Sequence, residues 1–410
     1  MSTLVAAPVA ERPDIPADLK KFWDIQNDPD GAVCPYKAGA KLHQGPNVFF
    51  NTNLGDPRAK AHGGSWVVTR YELQREVLQN AEVFSSHLIS GFSNLIGENW
   101  PMVPLELDPP EHSTYRMLFN PLFSPARIND LEAGVREQAL SLIEKVSADG
   151  GCEFMEAFGR PFPVGVFMRL MGLPLAEMAT FLEWEEGLLR GESLEARIHA
   201  ARSIKDYLVK MIADRRANPT GDLASYAANA QVDGKLISDE RALGAFYLFF
   251  VGGLDTVAAT LGFTFRELAR RPELQRQLRA DPGLIPDAVE ELIRAFGVVT
   301  TSRFLTRDFE FHGVTMHKGE MVTMPFGVAS RDDTEYDKPD VVDFSRENTR
   351  NISFAAGPHR CIGSHLARRE FRIALEEWTQ RVPEFRIKDG ETPVAHSAGV
   401  WGVDYLPLVW

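Results

Sequence analysis

Cysteine is scarce in this chain: Cys34, Cys152 and Cys361 are the three in 410 residues. So few in so long a chain exclude a disulfide framework and suit a reducing cytoplasm. Positive charge is short as well. Against 57 Asp and Glu stand 44 Lys and Arg, a formal net charge of −13. That argues against a nucleic-acid surface or a general affinity for anionic lipid, so an anionic partner must dock on a local basic patch. The opening MSTLVAAPVAERPDIPADLKKF has no basic start, long apolar stretch or cleavage site. No signal peptide or membrane anchor is expected there. No internal repeat, low-complexity tract or Gly/Ser linker interrupts the sequence. A G-x-G-x-x-G fingerprint is missing too, since Gly252-Gly253 alone does not make one, so no flavin or nicotinamide site is expected.

One run is apolar and long enough to span a bilayer, residues 242–265. Asp255 sits near its centre, and a lone central carboxylate costs a single span at least about 2.5 kcal/mol. A helix buried in a large core is therefore expected, and no membrane. Helical patterns also cover 70–80, 125–148, 163–172, 175–190, 195–215, 238–270, 284–296 and 364–382. Strands are expected in 303–325, with turns at His312-Gly313 and Lys318-Gly319, and again in 400–410. Residues 1–45 read as Pro-rich and irregular. The expectation is one domain over 1–410, mainly α with small β-sheets.

Residues 354–363 read Phe-Ala-Ala-Gly-Pro-His-Arg-Cys-Ile-Gly and precede an amphipathic helix. Cys361 thus lies at a helix N-terminus, where the dipole and free N–H groups favour a thiolate. Gly357 and Gly363 remove side chains on either side, which lets a flat ligand approach the backbone. Phe354 is placed to shield the sulfur, and His359 and Arg360 offer donors for carboxylates. A catalytic nucleophile is the other reading of Cys361, but no Asp/His pair stands at useful spacing. Cys34 and Cys152 read as small buried hydrophobes.

Three further groups stand out. Gly252-Gly253-Leu254-Asp255-Thr256 puts an acid and an alcohol beside two glycines, each costing a helix about 1 kcal/mol against alanine. Packing is one use of such glycines; a groove for a small ligand with a proton route is the other. Glu291 and Arg294 sit three apart on one helix face, by itself a surface pair worth a few tenths of a kcal/mol. His112 and Arg116 lie one turn apart after a proline-set helix start and would ordinarily be solvated.

Taken together, Phe-x-x-Gly-x-His-x-Cys-x-Gly resembles the haem-ligand loop of the cytochrome P450 family. The resemblance covers nearly the whole chain. It is strongest to soluble bacterial-type camphor 5-monooxygenases, through Arg-Arg-Pro-Glu-Leu near 270, Asp-Phe-Glu-Phe-His-Gly near 310 and the ending Leu-Pro-Leu-Val-Trp410. It implies the cytochrome P450 fold, with haem b between the long central helix and the loop, and Cys361 as axial iron ligand. Asp255 and Thr256 match the family's acid–alcohol pair for proton delivery. Arg190 matches a salt-link partner of that acid, whereas Leu182 stands where a lysine is expected. Glu291 and Arg294 match E-x-x-R, with Arg346 as the third, structural member. His112, Arg116, Arg303 and His359 match contacts to the haem propionates, two buried carboxylates that need neutralising.

By the same matching, Trp100, Met102, Leu189, Leu248, Val251, Gly252, Val299, Gly399 and Val400 line the substrate pocket. Trp100 replaces a tyrosine that donates to a substrate ketone, Met102 a phenylalanine, and Gly399 a bulkier aliphatic residue. So apolar a lining suits a bulky hydrocarbon skeleton with one or two oxygens, such as a terpenoid or norisoprenoid ketone. The resemblance implies dioxygen as co-substrate and a [2Fe-2S] ferredoxin with its NADH-dependent reductase, docking at Arg75, Arg116 and Arg368. A monomer is expected. Two other readings stay open: a haem-thiolate sensor, which has no need of Asp255-Thr256, and a peroxide-driven hydroxylase, which in similar proteins carries Arg-Pro there.

Overall fold

The structure, a computed structural model, describes residues 12–410. Helices build most of it: α1 (Tyr71–Gln79), α2 (Glu111–Phe119), α3 (Pro125–Val146), α4 (Pro161–Leu170), α5 (Met178–Arg190), α6 (Leu194–Ala217), α7 (Asp239–Arg270), α8 (Pro272–Ala280), α9 (Ile285–Ala295) and α10 (Ser364–Arg381). Local chemistry starts them. Ser124, Ser193 and Ser238 accept from the N–H groups of Arg127, Ala196 and Arg241, satisfying donors the helix leaves free. Pro125, Pro161 and Pro272 begin helices where a missing N–H costs nothing.

The 32-residue α7 is the axis of the fold. Asp239 and Glu240 in its first turn complement the dipole. It stops at Arg271, whose backbone leaves the helical region (φ −129°, ψ 75°) because Pro272 follows. Up to Leu254 it packs in one apolar cluster with Trp100, Phe167, Phe181 and Leu188. From Val257 it joins a second, with Ile373, Trp378, Phe385 and Trp401. Asp255 and Thr256 fall at the seam between the two. Among the described residues α7 is the one helix long and apolar enough to cross a membrane, yet 72% of its apolar window is buried inside the fold.

A six-stranded sheet flanks the helices: β1 (Lys20–Lys21), β2 (Val48–Asn51), β3 (Ser65–Val68), β4 (Phe84–Ser85), β5 (Thr300–Leu305) and β6 (Met321–Pro325), in the order β1-β2-β3-β6-β5-β4. Strand β6 sets Val322 opposite Arg303 of β5 and Trp66 of β3. The expected hairpin joins Phe309–Phe311 to Val314–Met316 through His312 (φ 48°) and Gly313 (φ 85°), the positive-φ turn that matches strand twist. At the C-terminus, Trp401–Tyr405 pairs with Val394–Ser397, and Pro407–Val409 with Gly151–Glu153.

The irregular reading of residues 1–45 is corrected over the part that is described, while residues 1–11 lie outside it. Lys20–Lys21 is a sheet strand, and Pro29–Val33 and Pro35–Ala40 are short helices. The prolines there open helices instead of breaking them, the first capped by Asp28. Ile25, Tyr36, Ala38 and Leu42 are buried in the core.

Candidate active site

Cys361 sits in a turn-rich loop three residues before α10 begins. Its N–H donates to the Phe354 carbonyl at 2.8 Å. Protein surrounds the residue on every side, yet it keeps open surface, so it faces an interior space instead of bulk water. Burial raises the thiol pKa, opposed by the Gly363 N–H and the charges of Arg116, Arg360 and Arg368. The dipole argument from sequence therefore captures only the opposing part. The two loop glycines differ in role. A Cβ at Gly363 would lie 3.9 Å from the Cys361 sulfur, an ordinary van der Waals contact. At Gly357 (φ +68°) it would strike the Leu78 carbonyl at 2.5 Å. Gly357 therefore seats the loop on the end of α1, and its ligand-clearing role is corrected to packing.

The glycine pair of α7 is split in role. A Cβ on Gly252 would meet nothing closer than Leu248 at 4.0 Å, whereas one on Gly253 would press Phe167 at 3.2 Å. One glycine leaves open room and the other serves packing. The Thr256 hydroxyl donates to the Gly252 carbonyl at 3.0 Å. Asp255 is buried and ion-paired with Arg190, and Leu182 packs into the apolar cluster.

The fit to haem is tested by four side chains. His112 and His359 are buried with ring centroids 4.2 Å apart, and none of their four ring nitrogens has a hydrogen-bond partner among the described residues. Burial, with the charges of Arg116 and Arg303, pushes His112 down to about 4 and His359 down to about 2. Arg303 is 2% exposed, and its guanidinium meets only the Ser302 carbonyl at 2.7 Å and the Thr301 hydroxyl at 3.4 Å. Burial lowers it to about 10. Arg116 is half-buried and close enough for its charge to act on Cys361. The one carboxylate whose charge reaches His112 and Arg303, Asp108, is hydrogen-bonded to Ser85 and Ser86 instead, so these side chains fit a socket for an anionic-edged planar group beside a thiol.

The residues expected to line the substrate pocket fall into two groups. Trp100, Met102, Leu189, Leu248 and Val251 belong to one cluster. Val299 and Val400 form an antiparallel bridge, and Thr300 N–H donates to the Gly399 carbonyl at 2.7 Å. The Trp100 indole N–H donates to Glu98 at 2.6 Å, and Glu98 is paired with Lys205 of α6. That donor is engaged within the protein. Glu291 and Arg294, both fully buried, share two bonds of 2.7 and 2.9 Å, and Arg346 Nε reaches Glu291 at 3.1 Å.

The docking trio is not a free basic patch. Arg75 pairs with Glu72 at 2.8 Å, Arg368 pairs with Glu290 while lying over the Phe354 ring, and Arg116 is turned inward. Two of the three expected docking cations are thus ion-paired, with Arg75 still 40% exposed and Arg368 25% exposed. A depression of about 320 Å³ on this face is lined by Glu290, Arg350, Phe354, Arg360 and Arg368. Sequence reasoning also passed over Glu185, which is buried beside Asp255. The signal was there: Phe181, Glu185 and Leu188 are the buried positions of α5, so the acid sits on the apolar stripe.

Fold and site together define a haem-thiolate class of protein. A sequence model of the family described as Cytochrome P450 matches residues 186–282 and 283–394. The chain is similar to the "Probable cytochrome P450 127A1" of Sinorhizobium fredii, 39% identical over 403 residues, 97% of this chain and 96% of the relative. It is similar to the crystal structure of CYP101C1 at TM-score 0.89 and 30% identity, covering 98% of this chain and 100% of that one. The structure of CYP101J2 gives TM-score 0.86 and 34% identity, over 98% and 99%. The chain belongs to the cytochrome P450 family. It has the fold of that family, its cofactor is haem b, and it is a monooxygenase.

Proposed function

We propose that the protein hydroxylates a small apolar substrate, a terpenoid or norisoprenoid ketone of ionone- or camphor-like shape, in the cytoplasm. Electrons come from a [2Fe-2S] ferredoxin and its NADH-dependent reductase, docking on the Cys361 face where Arg360 is exposed. The reading rests above all on Cys361, with Arg116 close enough for its charge to act on the thiol, and on the buried His112 and His359, whose ring nitrogens have no hydrogen-bond partner among the described residues. Haem b held by the Cys361 thiolate supplies the reductive cleavage of dioxygen that inserts one oxygen atom into C–H and reduces the other to water.

The chain's own residues do the rest. His112, His359, Arg116 and Arg303 bind the propionates. Arg190 orients Asp255, which carries protons to Thr256, and the Thr256 hydroxyl, released from the Gly252 carbonyl, delivers them into the interior space. Because Glu98 holds the Trp100 N–H, a substrate carbonyl must compete for it, and recognition rests mainly on apolar shape. The test is optical. Reduced protein with carbon monoxide is expected to give the thiolate-ligand band, and Cys361→Ser to abolish it. A panel of terpenoid ketones is expected to shift the ferric spectrum. An unchanged band in Cys361→Ser would end the ligand assignment; response to polar compounds alone would end the substrate assignment.

A further inference from the structure

The charges around Asp255 do not balance among themselves. Arg190, at the end of α5, pairs with Asp255 and also faces Glu186 at 3.4 Å and Asp404 at 3.6 Å. Asp404, on the strand Trp401–Tyr405, bonds His396 at 2.8 Å and faces Arg160 at 3.7 Å. From α6, Arg197 is tied to the Leu188 carbonyl at 3.2 Å. Into this group α5 inserts Glu185, 3% exposed, with Oε1 buried and lacking any hydrogen-bond partner among the described residues. Asp255, Arg190, Arg160 and Glu186 are the charges that act on it. Two arginines thus serve Asp255, Glu185, Glu186 and Asp404, and Leu182 adds no cation. An unpaired buried carboxylate beside another one keeps its proton. Burial and Asp255 accordingly push Glu185 up to about 8.

We propose that Glu185 is the acid that reprotonates Asp255 in each turnover. Its carboxyl proton passes to the Asp255 carboxylate across the α5–α7 contact, leaving Glu185 ionised and Asp255 neutral. Glu185 then regains a proton from solvent water at the Asp404–His396 edge, where both side chains are partly exposed. Arg190 stabilises whichever carboxylate carries the charge. The proposal rests on the reading of Asp255-Thr256 as the proton-delivery pair.

The experiment uses the haem-loaded enzyme with three variants and two readouts. Infrared titration of the wild type is expected to show a protonated carboxyl band at neutral pH that disappears as pH rises through about 8 and is missing in Glu185→Gln. Turnover of Glu185→Gln is expected to fall by about tenfold, less than the roughly 10²–10⁴ of an acid that acts directly at the reacting atoms because Glu185 acts through Asp255, and to lose the alkaline limb of its pH profile. Glu185→Asp restores part of both. A wild-type profile in Glu185→Gln, or a wild-type-minus-variant difference spectrum with no carboxyl band (which cancels the band of the buried Glu370), overturns the proposal. Should Glu185→Gln fail to fold, a wild type with no such band overturns it equally. Asp255→Asn checks the underlying reading separately: intact coupling of reductant to product there removes the delivery pair, while the Glu185 band remains assignable.

Discussion

Arg303 is held in the interior by the backbone of β5, with a carbonyl and a hydroxyl as its only hydrogen-bond partners among the described residues. A buried guanidinium so poorly matched destabilises the protein that carries it, since desolvation is offset only when a carboxylate arrives. Two opposite consequences follow for Arg303→Met. The haem-free protein should unfold at the same temperature or higher, because an unmatched buried charge is gone. Haem affinity should drop by roughly tenfold to a hundredfold, the worth of one charge-assisted bond at about 1.5–3 kcal/mol. Calorimetry of the haem-free form and a haem-transfer assay measure the two separately. Loss of apo-stability with unchanged haem affinity would make Arg303 a structural residue. Nothing in the local sequence of β5 marks this arginine as buried, and only the family resemblance singled it out. Glu185 shows the reverse: helical periodicity placed it on the core face of α5, but a carboxylate on an apolar stripe is easily read as a charged-face residue.

At the scale of elements, α9 is tied to the chain that follows β6 by one buried network. Glu291 accepts from Arg294, Arg346 and the Asp343 N–H, and Arg294 also donates to the carbonyls of Ser330 and Pro339. Removing the one carboxylate leaves two arginines uncompensated. Glu291→Ala should therefore cost about 3–5 kcal/mol, the usual penalty for breaking a buried pair from one side. Denaturant unfolding measures it, and a loss below about 1 kcal/mol would reduce the network to a surface pair's value. The helices themselves were legible because their apolar stripes recur at helical spacing over many residues, as with α7 at 239–270 against the expected 238–270. Strands β2 and β3 were not. All four residues of each are buried, so neither shows the alternation that betrays a half-exposed strand. Helix α8 was missed for a different reason: its charged sequence buries only Leu274, Gln275 and Leu278.

At the scale of the whole molecule, an acidic chain that also buries neutral acids ties its stability to pH. Glu370 on α10 is fully enclosed, Oε2 has no partner, and burial holds its pKa well above the ordinary glutamate value. The sign follows from linkage. An acid whose folded pKa is raised keeps a proton that the unfolded chain releases, so folding is favoured most below the unfolded pKa of about 4.3. That advantage shrinks as pH climbs from there toward the folded value. Glu370→Gln keeps the shape and a neutral polar head while deleting the titration. Thermal unfolding of the haem-loaded protein between pH 6 and pH 9 should then decline less steeply in Glu370→Gln than in the wild type, and the variant should be the more stable at the alkaline end. Each pH unit over which only the unfolded chain is ionised is worth about 1.4 kcal/mol, large enough to see against other titrations. Parallel curves for the two proteins would mean that Glu370 ionises freely in the folded state, through water reaching the inner face of α10.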